Sequence, residues 1–190
     1  MNKKIKAVEV YCGHQFGTNP EYARDAQRVG ELLARNKLTL VFGGGNVGLM
    51  GTVASAAIEN SGKVIGISTK HVVSLQEPAH KDIDVKIVDG LSTRKEQMFK
   101  LSDAFVILPG GIGTLDEMTD IMTKQQVGES SKPIYMLNTA KYWEIFGQVM
   151  THMQAEGFMP SADDYNLHVV NTPEELIKKL INCDDFVPCA

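Results

Sequence analysis

The chain places two carboxylates directly behind a glycine-rich turn: Pro109-Gly110-Gly111-Ile112-Gly113-Thr114-Leu115-Asp116-Glu117 follows the apolar run 103–108. If the run is a strand and a helix starts at Thr114, the first N–H groups of that helix point into the turn, where they hold anions. Phosphate is the expected guest. A carboxylate close behind repels it, so Glu117 needs an account of its own. One is a capping box, Thr114-x-x-Glu117, in which hydroxyl and carboxylate satisfy the free N–H groups of the first turn. The other is chemical: a carboxylate fixed beside a phosphate serves as a base or stabilises a cation, and the helix dipole is expected to keep Glu117 or Asp116 ionised. The local sequence leaves both open.

A second glycine loop, 43–51, follows the run 39–42 and contains Gly-x-Gly-x-x-Gly as Gly43, Gly45 and Gly48, with Gly44 between. A dinucleotide site of this pattern needs an acidic residue after the next strand to hold a ribose hydroxyl, but the chain reads Ser68-Thr69-Lys70 there. Two glycine turns facing one cleft fit a mononucleotide better than NAD; the alternative is that the glycines only permit tight turns. Arg94 and Lys95 fall at a predicted helix start, where cations oppose the dipole. A nearby anion would explain them, since the arginine fork matches phosphate or carboxylate, and a solvated charge pair is the plainer alternative.

Other chemistry is weaker. The histidines His14, His71, His80, His152 and His168 form no pair at helical metal-ligand spacing, so no metal is expected. Cys12, Cys183 and Cys189 form no C-x-x-C pair and are read as reduced thiols. Cys12 and His14 are expected to be solvent-facing loop residues rather than a nucleophile and base. Met118, Ile121 and Met122 read as core or as a subunit contact.

The elements that must position these residues alternate. Strands are predicted over 7–11, 39–42, 64–67, 85–88, 104–108, 134–137 and 167–170, and helices over 20–35, 48–60, 93–101, 114–127, 142–156 and 173–181. Thr172 caps the last helix, with Pro173 and Glu175 in its first turn. The alternation defines an α/β class: a Rossmann-like three-layer sandwich with a mostly parallel central sheet, in one domain of 190 residues. A long irregular segment, 68–84, carries Glu77, Pro78 and His80. In such a sheet ligands sit beyond the carboxyl ends of the strands, the rim where 11–20, both glycine loops and 68–84 fall. Net charge is −4 and the basic residues are scattered, so no nucleic acid or anionic membrane is expected as a partner. The apolar runs are of strand length and residues 1–6 lack a signal-peptide core, so a cytoplasmic protein is expected.

Taken together these motifs resemble the Lonely Guy family, cytokinin riboside 5′-monophosphate phosphoribohydrolases long mislabelled as lysine decarboxylases. The hallmark P-G-G-x-G-T-x-x-E is complete from Pro109 to Glu117. Y-C-G at Tyr11–Gly13, G-G-G-x-x-G-L-M-G at Gly43–Gly51, E-x-x-H at Glu77–His80, R-K at Arg94–Lys95 and K-P at Lys132–Pro133 follow in the family order. The chain differs from the pattern at His14-Gln15, where two serines are usual, at Leu91-Ser92-Thr93 in place of M-H-E, and at Lys124, where tryptophan is frequent. The resemblance implies hydrolysis of the N-glycosidic bond of a purine nucleoside 5′-monophosphate, with N6-modified adenine as one base. It makes Arg94 and Glu117 catalytic. Substrate contacts are then expected from Gly44, Gly45, Glu77, Lys95, Gly110, Gly111, Ile112, Gly113, Thr114, Leu115, Asp116 and Thr123. No cofactor is implied, and a homodimer is. The second reading is a nucleotide-binding carrier or sensor of the same fold.

Overall fold

The computed structural model describes residues 4–74, 83–161 and 164–181. Seven strands form one sheet: β1 (Ala7–Tyr11), β2 (Thr39–Phe42), β3 (Val64–Thr69), β4 (Asp84–Val88), β5 (Ala104–Ile107), β6 (Ile134–Leu137) and β7 (Leu167–Val170). All the strand pairs are parallel, in the order β4-β3-β2-β1-β5-β6-β7. Connections after β1 step toward one edge and those after β5 toward the other. The switch between β1 and β5 opens a crevice at their carboxyl ends, the usual ligand position in open parallel sheets.

Helices α1 (Pro20–Arg35), α2 (Gly48–Glu59), α3 (Lys70–Ser74), α4 (Leu91–Leu101), α5 (Ile112–Gln126), α6 (Glu144–Ala155) and α7 (Pro173–Leu180) complete the α/β pattern. Because strand side chains alternate, β1 feeds two apolar layers. Val8, Val10 and Cys12 join α1, α2 and α7 on one side. Tyr11 joins Met98 of α4 and Met118, Ile121 and Met122 of α5 on the other. The three α5 residues are therefore core and are not available as a subunit contact.

Three expectations are corrected by local chemistry. The helix after the glycine turn starts at Ile112 with Gly111 as its N-cap, before Thr114. The 142–156 helix starts at Glu144, because Ala140 and Lys141 take positive φ in a short 3₁₀ turn at Thr139–Lys141. The segment read as irregular from Ser68 begins with ordered structure, since β3 runs through Thr69 and passes into α3. The predicted cap of α7 is present: the Thr172 hydroxyl accepts from the Glu175 N–H at 3.1 Å.

Helix α1 approaches α2 at Gly30, where a methyl group would overlap the Val53 carbonyl and stand 2.9 Å from the Ala56 Cβ. No helix among the described residues is long and apolar enough to cross a membrane.

Candidate active site

The chain ends of β1 and β5 are stitched together. The Leu108 N–H donates to the Tyr11 carbonyl at 2.9 Å, and the Gly13 N–H donates to the Pro109 carbonyl at 3.0 Å. Gly110 packs on Thr114, whose hydroxyl would overlap any Cβ placed there, so the turn folds tightly onto the start of α5. Gly111 and Gly113 face open space, and Ile112 is 81% exposed. The first N–H groups of a fifteen-residue helix thus open to solvent beside the β1–β5 crevice. A cleft of about 230 Å³ adjoins the turn, walled by His14, Phe16, Tyr22 and Tyr142. The Tyr142 hydroxyl donates to the Gly110 carbonyl at 2.6 Å.

Thr114 makes no capping bond, because the helix starts ahead of it. Glu117 instead accepts from Arg94: Nη1 and Oε1 are 3.1 Å apart, and both residues are 9% exposed. The capping-box account is thereby excluded for Glu117, and so is a solvated reading of Arg94. Glu117 stands in the second turn of α5, past the reach of the dipole, and burial pushes its carboxyl above the usual range while Arg94 opposes by charge and hydrogen bond.

Arg94 is held from behind. Its Nε donates to the Ile67 carbonyl, in the second half of β3, at 3.0 Å. Its Nη2 occupies the space where a Gly43 side chain would be. The second glycine loop therefore makes room for a cation, a use for Gly43 that its fingerprint alone does not reveal. Gly44 is buried with φ +79° against Ser68, and the Gly45 N–H points at the Met50 sulfur, 3.2 Å away. Gly48 rests directly on the His14 backbone and the Met50 N–H donates to the Gly13 carbonyl, so the glycine loops grip the β1 exit from both sides.

Lys95 turns outward to Asp116, 3.1 Å away, and Asp120, 3.4 Å away. Partial burial works against its ammonium, but these two carboxylates hold it above the ordinary lysine value. Leu115 is half-buried against the α5 side of the core. Thr123 lies on the exposed stripe of Asp116 and Asp120, with its hydroxyl on the Thr119 carbonyl, and is not brought to the Arg94–Glu117 pair. Glu77 lies outside the described residues, as do Pro78 and His80. Cys12 is buried in the opposite layer, and burial pushes its thiol far above its usual range, which corrects its reading as a solvent-facing residue.

Sequence reading passed over two further residues. Ser68, the last residue but one of β3, has its hydroxyl buried and without a partner among the described residues. Glu9 is fully buried in the middle of β1. Its signal was present as a carboxylate inside A-V-E-V-Y, a strand that a parallel sheet covers on both faces.

Fold and site together define an α/β protein with a glycine turn at a topological switch and a buried arginine–glutamate pair next to it. Residues 50–180 match the family model described as "Possible lysine decarboxylase". The chain is 37% identical over 158 residues to a cytokinin riboside 5′-monophosphate phosphoribohydrolase of Rhodococcoides fascians, covering 83% of this chain and 80% of that one. It is 33% identical over 188 residues to one of Arabidopsis thaliana, covering 99% and 87%. The chain belongs to this family, the Lonely Guy proteins. A molybdenum cofactor binding protein of Rippkaea orientalis shares the fold, with TM-score 0.65 and 24% identity over 95% of this chain and 99% of that one. The molybdenum cofactor carrier protein of Chlamydomonas reinhardtii does so at TM-score 0.67 and 17% identity, over 94% and 98%.

Proposed function

We propose that the chain hydrolyses the N-glycosidic bond of a purine nucleoside 5′-monophosphate, including N6-modified adenine nucleotides, to the free base and ribose 5-phosphate. The observation that carries this reading is the buried Arg94–Glu117 pair, set one helical turn from the open N–H groups of Ile112, Gly113 and Thr114. The phosphate sits on those N–H groups, with Gly110 and Gly111 allowing its close approach. Its binding energy fixes the ribose beside Glu117.

Cleavage of the bond builds positive charge on the ribose carbon, as in other glycoside hydrolyses. The Glu117 carboxylate stabilises that charge and orients or deprotonates the attacking water. The water oxygen bonds to the ribose carbon, the carbon–nitrogen bond breaks, and its electron pair leaves on the base, which takes up a proton. Arg94 keeps Glu117 charged and oriented from a buried position. Gly44 and Gly45 shape the loop behind Arg94, while Lys95, Leu115 and Asp116 stand on the outer side of the substrate path. A homodimer belongs to the same proposal and rests on family membership; a cytoplasmic location is proposed with it.

The test is incubation with AMP, GMP, CMP and N6-isopentenyl AMP, with free base followed by chromatography. Release of base from a purine nucleotide and its loss in Glu117→Gln are expected. No release from any of the four overturns the hydrolase reading in favour of a nucleotide-binding protein, and unchanged release in Glu117→Gln overturns the role of Glu117.

A further inference from the structure

Glu9 stands at the centre of β1, paired in register with Val41 on one side and Phe105 on the other. Alternation along the strand puts it on the same face as Tyr11, two residues nearer the rim. That face is covered by α4, which carries Arg94, and α5, which carries Glu117. The layer around it is apolar, including Met98, Phe105 and Met118, all fully buried. Glu9 is itself 0% exposed, and neither carboxyl oxygen has a hydrogen-bond partner among the described residues. The Tyr11 hydroxyl is the polar group that bears on it from the same strand, and Tyr11 stacks on Phe105 at 6.3 Å between centroids. A carboxyl buried among methionines and aromatics, with only a tyrosine hydroxyl bearing on it from its own strand, is costly, and nothing in the packing of the sheet calls for one.

We propose that Glu9, a fully buried carboxyl on the strand face that α4 and α5 cover, is a positioning residue for the Arg94–Glu117 pair, its charge state setting how firmly Arg94 holds Glu117. The charged and titratable groups that face Glu9 are Tyr11 on its own strand, Arg94 from α4, Glu117 from α5 and Lys132 ahead of β6. Burial pushes the Glu9 carboxyl up to about 8; the Tyr11 hydroxyl opposes that rise and the charge of Glu117 adds to it. Below that value Arg94 answers to a single internal carboxylate. Above it, Glu9 competes for the same cation, raises the proton affinity of Glu117 and repels an incoming phosphate. This role rests on the hydrolase reading, but the electrostatic coupling beneath it does not.

Two titrations of the full chain therefore separate the claims. In carboxyl-carbon NMR of protein labelled on glutamate, the signal absent from Glu9→Gln is expected to titrate on the alkaline side of neutrality and to move to lower pH in Glu117→Gln. A Glu9 signal that titrates with the surface carboxylates, or that ignores Glu117→Gln, overturns the proposal whether or not any nucleotide is cleaved. In the second, kcat/KM for AMP is followed from pH 6 to 9.5. Wild type is expected to lose about tenfold above pH 8, and Glu9→Gln and Glu9→Leu to lack that fall. An alkaline fall that persists in both overturns the positioning role, because a residue that only fills space would leave the profile unmoved. A wild type that cleaves nothing yet shows the coupled titration refutes the hydrolase reading and supports the coupling.

Discussion

Arg94 is the residue on which the site turns, because each of its three nitrogens has a separate restraint. Nη1 meets Glu117, Nε meets the Ile67 carbonyl, and Nη2 fills the space left by Gly43. Gly43→Ala is therefore expected to displace the guanidinium and lower kcat about 100-fold, with far-UV circular dichroism unchanged. A Gly43→Ala enzyme within threefold of wild type would show that the position of Arg94 is not critical. Arg94→Met removes one partner of a buried pair and is expected to destabilise the chain by about 3 kcal/mol in urea unfolding, in addition to abolishing activity. Glu9 makes a distinct prediction for stability. Its native value near 8 lies above the 4.5 of an exposed carboxyl, so between those values the native state keeps a proton that the unfolded state has released. Its contribution to stability is complete below about pH 4.5 and is lost as pH rises to about 8, on the order of 4 kcal/mol. The urea midpoint of wild type is expected to fall relative to that of Glu9→Gln across this window, and parallel curves would refute the burial argument.

At the scale of elements, α1 and α2 meet through a glycine that helix propensity alone would not select. Gly30→Ala gains about 1 kcal/mol in propensity but forces a methyl group against the Val53 carbonyl. A net loss of about 1–3 kcal/mol is expected, read by chemical denaturation, and stabilisation would show that the two helices can separate at no cost. The elements were also the most legible part of the sequence. Val- and Ile-rich runs between helical patterns gave every strand within a residue or two, and Thr172-Pro173 gave the start of α7. The start of α5 was misjudged because Thr114 and Glu117 fit a capping box so well, whereas Gly111 can begin a helix with no side chain to announce it. The sequence names Arg94 and Glu117 together but not their contact: they belong to different helices, and only the packing of α4 and α5 on one face of β1 brings them within 3.1 Å. Glu9 escaped notice because a single carboxylate in a short strand looks like an edge position until the strand order puts β1 in the middle of the sheet.

For the whole molecule, the sheet order divides the chain into two parts that meet at β1 and β5. Gly43, Ile67 and Arg94 come from the part before the switch, and the Pro109 turn and Glu117 from the part after it. With Met118, Ile121 and Met122 withdrawn into the core, any subunit contact must use other surfaces. A dimer is the expected state by light scattering, and a mass of 20.9 kDa in solution would refute it.

The division at β1 and β5 also bears on how the molecule breathes. Under the proposed function a nucleotide at that junction touches both parts of the sheet at once, while each part alone offers it only half a site. Bound nucleotide then ties the two parts together, and exchange of the amide hydrogens of Val10, Tyr11, Val106 and Ile107 is expected to be slowed by it more than that of the outer strand β7.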